Sequence, residues 1–199
     1  LAAIDDGTTL VSLVPTMLQR MIDRRGDMPW PDSLRAILLG GGPAPQPLVR
    51  RCRELGISVL PTYGLTETAS QATTMRPSDA CWKIGSSGLP LPTTELRITD
   101  HGEALPHGDV GEIELRGPTV FGGYLHEQSS VGPDGWLRTG DAGFLDDDGY
   151  LYVVDRRGDL IVSGGENVYP AEIERVLLEH PRVDDAGVIG VADEQWGMR

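Results

Sequence analysis

The sequence predicts a mixed α/β chain that passes into an antiparallel, barrel-like β unit and ends in a short α+β segment. Three patterns carry this expectation. Apolar runs alternate with helical spacing up to about residue 75, period-two alternation follows from about Lys83 to Asp155, and an amphipathic helix occupies Pro170 to His180.

The elements follow in order. Thr9 to Val14 (TLVSLV) reads as a buried strand, and Pro15 opens a helix to Asp23 in which Leu18, Met21 and Ile22 share a face. Arg35 to Leu39 is a second buried strand, Pro47 to Leu55 a helix with Leu48, Cys52 and Leu55 on one side, and Ile57 to Leu60 a third strand. This βαβαβ order predicts parallel strands with loops at their C-terminal ends. Glu95–Thr99, Glu112–Arg116, Trp136–Thr139, Gly143–Leu145 and Tyr150–Val154 then alternate or pair between turn signals such as Asp100-His101-Gly102 and Asp147-Asp148-Gly149. Leu160–Val162 is a short strand before a Ser163-Gly164-Gly165 turn. In the helix from Pro170, Glu172 and Glu174 come early and Ile173, Val176 and Leu177 share a face; Val183 to Val191 reads as a closing strand.

Composition narrows the function classes. Lys+Arg 17 against Asp+Glu 30 gives a net charge of -13, which disfavours nucleic acid or an anionic membrane surface as a partner. The hydrophobic share of 39% with 24% charged residues suits a packed globular chain. The longest uncharged stretch, Ala36 to Val49, is shorter than the ~18 residues of a spanning helix and is broken by glycine and proline. Cys52 and Cys81 form neither a disulfide framework nor a metal cluster, so a reducing cytoplasm is expected.

Four loops hold the candidate chemistry. Leu39 to Pro45 (LGGGPAP) lets backbone approach a flat or anionic ligand, or is a plain βα turn. Thr62 to Ser70 (TYGLTETAS) offers hydroxyls to phosphate, a Tyr63 ring to a base and the Glu67 carboxylate to Mg²⁺; its plain reading is a helix start capped by Thr66. In Gly135 to Gly143 (GWLRTGDAG), Asp141 can accept two ribose hydroxyls or simply form a turn. In Val154 to Pro170, Arg156 and Arg157 suit phosphate or ribose and Gly158 suits a hinge, or the run is a solvated turn.

Together, in this order and spacing, YGLTET, RTGD and DRRGDLIVSGGENVYPAEIE resemble the adenylate-forming (acyl-CoA synthetase, AMP-binding) superfamily, over essentially the whole chain. YGLTETASQATTMRPSDACWKIGSSGLPL with LLGGGPAPQPL is most similar to its o-succinylbenzoate–CoA ligase branch. The resemblance implies an enzyme that adenylates a carboxylic acid with ATP and Mg²⁺ and then forms a thioester with CoA. It implies that Gly41, Gly42 and Pro43 line adenine, Tyr63 stacks near the base, Thr66 contacts the α-phosphate, Glu67 holds Mg²⁺, and Asp141 and Arg156 contact ribose. Gly158 falls at the family's hinge, Gly164 and Gly165 line a pantetheine tunnel, and the acyl group lies beside Gly64 and Leu65, with Ser70 and Gln71 near it.

It also implies an organisation: residues 1–80 as the nucleotide- and acyl-binding end of a large domain, 81–156 as its barrel-like subdomain, and 157–199 as the start of a small domain. The family's upstream phosphate loop and distal lysine have no counterpart here, and Lys83, the sole lysine, lies in the wrong motif. The chain therefore reads as the central part of a ligase, inactive alone. Its expected partners are a small carboxylic acid, ATP and CoA, with homo-oligomerisation left open. Two rivals stand beside this reading, a carrier-protein adenylating enzyme and a non-catalytic nucleotide-binding module.

Overall fold

The computed structural model describes all residues except 126–130, 157–159, 164–165, 181, 184 and 194–195. After a short helix α1 (Ala2–Asp5), strands β1 (Leu10–Leu13), β2 (Ala36–Leu39) and β3 (Val59–Tyr63) run parallel, linked by helices α2 (Pro15–Arg25) and α3 (Gln46–Glu54). Both helices carry proline in their first two positions, where its missing N–H costs no hydrogen bond. Their apolar faces close on the strands: Leu18, Ile22, Leu48 and Cys52 pack with Leu13, Ile37, Leu39 and Val59. The short antiparallel strands β4 (Thr73–Thr74) and β5 (Leu89–Pro90) extend this sheet beyond β3.

A second sheet is antiparallel throughout. It contains β6 (Glu95–Asp100), β7 (Glu103–Ala104), β8 (Gly111–Arg116), β9 (Leu137–Leu145) and β10 (Leu151–Arg156) in the order β10-β9-β8-β6-β7. The two runs expected at Trp136–Thr139 and Gly143–Leu145 are one nine-residue strand, β9, because the Gly140-Asp141 step is absorbed as a register shift opposite Glu112–Glu114. The barrel-like expectation is met here as far as an antiparallel sheet. Among the described residues no ladder joins the edges β7 and β10; β7 is only two residues long and has little edge to offer. Edge strand β10 is instead tied to the first sheet, where Leu151 donates to Gly88 O at 2.9 Å and accepts from Ser87 N–H at 2.8 Å. Tyr63 and Leu65 pack against the inner face of this second sheet, on Ala72, Ile98, Ile113, Leu115 and Leu151. The end of β3 is thereby fixed against β8 and β10.

The last segment forms β11 (Ile161–Ser163), β12 (Glu166–Val168), α4 (Pro170–Leu178), β13 (Ala192–Asp193) and β14 (Gly197–Met198), with sheet order β12-β11-β14-β13. The Asp155 carboxylate accepts the Ala171 N–H at 2.9 Å, joining the start of α4 to β10. The closing strand expected at Val183 to Val191 is absent among its described residues; the ladder begins where Val191 and Arg199 exchange two backbone bonds at 2.9 Å. Two glycines, Gly187 and Gly190, and an Ile189 that is 79% exposed leave that run without the packed face that would hold a strand.

Candidate functional site

The site is built where β2 and β3 end side by side, since Leu39 is paired in register with Pro61. Parallel strands send their loops out at the same end, which is where α/β folds bind ligands. From β2 come Gly41, Gly42 and Pro43, all exposed. The backbone before them is held by close approach: a Cβ on Gly40 would stand 2.4 Å from the Thr62 Oγ1, and that hydroxyl donates to Leu39 O at 3.3 Å.

From β3 comes Tyr63, followed by Gly64, Leu65 and a three-residue 3-10 turn, Thr66–Thr68. Leu65, not Thr66, occupies the capping position, so the plain reading of Thr66 as a cap does not hold. The buried Thr68 does that work: its Oγ1 accepts the Leu65 N–H at 3.1 Å. Thr66 is left exposed and Glu67 half-buried. Gly64 is required by the chain itself, since an added Cβ would lie 1.7 Å from Ser70 O. The turn back to Ser70 is strained, with Ala69 at φ 52 and Ser70 at φ 104.

Asp141 arrives from β9, 78 residues further on, and the Tyr63 hydroxyl donates to its Oδ2 at 2.7 Å. Asp141 is 7% exposed. Its own N–H donates to Thr139 Oγ1 at 3.1 Å, and that hydroxyl donates to Ile113 O at 2.8 Å. The carboxylate is thus set by a short chain of bonds running into β8. Arg156 is the register partner of Asp141 across the β9–β10 pair, so the backbones of the two expected ribose contacts lie side by side.

The loop after β8 completes the arrangement. Phe121 N–H donates to Glu67 O at 2.8 Å, and the Tyr124 hydroxyl donates to Glu67 Oε1. The structure therefore brings together Gly41–Pro43, Tyr63–Glu67, Asp141 and the Arg156 backbone. Gly158, Gly164 and Gly165 lie outside the described residues. Sequence reasoning missed Thr139 and Tyr124. Thr139 stands in the RTGD run itself, and nothing local marks Tyr124.

Lys83 is committed elsewhere. Its ammonium binds Asp146 at 2.8 Å and also Asp148, and sits 4.8 Å from the Tyr150 ring centre. Those two carboxylates raise its pKa above the ordinary lysine value. Burial pushes the Cys52 thiol up to about 11, which leaves it inert.

The loop ends of a parallel sheet thus meet a buried, tyrosine-held aspartate, and the chain belongs to the AMP-binding enzyme family, whose model matches residues 2–125. The AMP-binding enzyme C-terminal domain matches residues 172–199. Among curated relatives, the 2-succinylbenzoate–CoA ligase of Bacillus mycoides (strain KBAB4) is 52% identical over 96% of this chain, which spans 40% of that relative's length. Among solved structures, o-succinylbenzoate CoA synthetase from Bacillus subtilis with the acyl-adenylate intermediate OSB-AMP superposes with a TM-score of 0.92 at 47% identity, over 99% of this chain and 41% of that one. The same enzyme with ATP and magnesium ion gives 0.90 at 46% identity, over 98% of this chain and 42% of that one.

Proposed function

We propose that this chain is the nucleotide- and acid-binding centre of an AMP-forming acid–CoA ligase, and that its acid is o-succinylbenzoate, in menaquinone biosynthesis. The observation that carries the reading is the Tyr63–Asp141 hydrogen bond, which joins two motifs 78 residues apart in sequence. The Bacillus subtilis complexes with acyl-adenylate and with ATP and magnesium support it.

In the first half-reaction the acid's carboxylate oxygen attacks the α-phosphorus of ATP, and the bond to pyrophosphate breaks. In the second the CoA thiol loses its proton and its sulfur attacks the acyl carbon, releasing AMP. Neither step needs a side-chain nucleophile, so positioning and charge stabilisation are what the protein supplies. Gly41, Gly42 and Pro43 take the adenine, with Tyr63 beside it. Asp141, oriented by Tyr63 and Thr139, accepts the ribose hydroxyls, and Arg156 joins it from the paired strand. Thr66, exposed on the turn, donates to the α-phosphate, and Glu67 is the carboxylate for Mg²⁺. The donor set fits that ion: Glu67 offers a hard carboxylate, half-buried on the turn beside the exposed Thr66, and Mg²⁺ is commonly held by one or two carboxylates plus substrate phosphates. When bound, the ion supplies neutralisation of phosphate charge.

Gly64, Leu65, Ser70 and Gln71 border the acyl group in this reading, and Gly164 and Gly165 the pantetheine arm of CoA. Residues 1–80 form the end of the large domain, 81–156 its barrel-like subdomain, and 157–199 the start of the small one, turning about Gly158. No helix among the described residues is long and apolar enough to cross a membrane. Work in the cytoplasm on small-molecule substrates belongs to the same proposal. The test is o-succinylbenzoate-dependent ATP–pyrophosphate exchange by the enzyme that contains this chain. Asp141→Ala should lower kcat/KM by about 10²-fold or more. Preference for palmitate would overturn the substrate, and thioester transfer to a carrier protein instead of free CoA would overturn the acceptor.

A further inference from the structure

We propose that Tyr124 is a positioning residue for the Glu67 carboxylate, fixing it for a divalent cation. The inference rests on the reading of Glu67 given above. Glu67 sits on a turn of three residues, which sets its main chain but leaves a long side chain with several torsions to order. The loop after β8 closes on it twice, from 57 residues away in sequence at Tyr124. Phe121 N–H holds the main-chain oxygen at 2.8 Å, and the Tyr124 hydroxyl holds Oε1. The two aromatic rings brace each other edge to face, with centres 4.8 Å apart at 73°. One residue of the loop thus anchors the backbone of Glu67 while the other aims its side chain. A carboxylate has about four lone-pair positions, so one phenol donor orients it without using it up.

The phenol acts through Glu67, so its removal should show as a weaker response to metal and not as lost nucleotide recognition. The experiment compares Tyr124→Phe, Tyr124→Ala and Glu67→Gln in the enzyme that contains this chain. ATP affinity is measured by titration calorimetry across a Mg²⁺ series, and AMP affinity without metal. Tyr124→Phe keeps the ring and loses the donor. It should raise the Mg²⁺ concentration for half effect about tenfold, the size expected for one hydrogen bond to a charged group. AMP affinity should stay unmoved, and Tyr124→Ala should show at least the same metal effect. If Glu67→Gln shifts the Mg²⁺ response and Tyr124→Phe does not, the positioning role is overturned while the Glu67 assignment stands. An equal loss of AMP affinity in Tyr124→Phe would also overturn it. If Glu67→Gln leaves the Mg²⁺ response unchanged, the metal assignment falls and takes this inference with it.

Discussion

Tyr63 shows how one side chain can serve two segments. Its ring packs on the core of the second sheet while its hydroxyl reaches Asp141 at 2.7 Å. Tyr63→Phe keeps the packing and removes the donor. In the enzyme that contains this chain it should raise the KM for ATP about tenfold, with a smaller change in the KM for the acid, as steady-state kinetics would show. The cysteines give a test at the same scale. Cys52 is fully buried with its thiol raised to about 11, and Cys81 is exposed. Iodoacetamide on the folded chain at pH 8 should label Cys81 and spare Cys52, with both labelled after denaturation; mass spectrometry of the peptides decides it. That Tyr63 and Asp141 meet was legible at this scale, because TYGLTET and RTGD mark them in the sequence itself. Tyr124 was not. Its role exists only after a loop 57 residues away closes on Glu67, and no local pattern encodes that meeting.

Strands β1 to β3 and helices α2 and α3 were legible because each is short and punctuated, whereas α1 and β4 were not read. β1 lies inside the expected Thr9–Val14, and α2 begins at the expected Pro15. Legibility failed where a neighbour decides. The face of α4 bearing Ile173, Val176 and Leu177 has the spacing of a buried stripe, yet these residues are 40%, 59% and 44% exposed. Periodicity shows which residues share a face, not whether anything covers it. The turn between β3 and β4 offers a direct test. Ser70 is held at φ 104, a region that glycine enters at little cost, and Ser70→Gly should raise stability by about 1 kcal/mol in chemical denaturation. A second test concerns the clamp between Lys83 and the β9–β10 turn. Burial, the largest single influence, opposes ionisation of Asp146, but the bond and charge of Lys83 together with the Tyr150 and Asp148 N–H groups outweigh it and hold the carboxyl below its ordinary value. A depressed carboxyl stabilises the fold above its unfolded pKa and loses that contribution as pH falls through its folded one. Lys83→Met should therefore lower Tm at pH 7, and the gap to the parent chain should narrow below about pH 4.

At the scale of the whole molecule, the site gathers recognition groups, and no lysine stands among its described side chains. Adenylation places growing negative charge on phosphate oxygens, and positioned cations account for orders of magnitude of the rate in such transfers. The sequence has one lysine, and it is bound to Asp146 and Asp148 and stacked on Tyr150. Lys83 therefore holds the chain together where a phosphate-binding lysine would have to be available. In the proposed reading, Gly41–Pro43, Tyr63 and Asp141 need no such cation to hold the adenosine part. The chain spans only 40% of the curated relative it matches, so the two capacities are separable by experiment. The 199-residue chain should bind AMP weakly by calorimetry, and Asp141→Ala should abolish that binding. With o-succinylbenzoate and Mg²⁺ it should exchange pyrophosphate into ATP at less than about 10⁻³ of the rate of a complete ligase. Exchange at a comparable rate would mean that the cations required for the chemistry lie within these residues, and Arg156, from the strand paired with Asp141, would be the first to substitute.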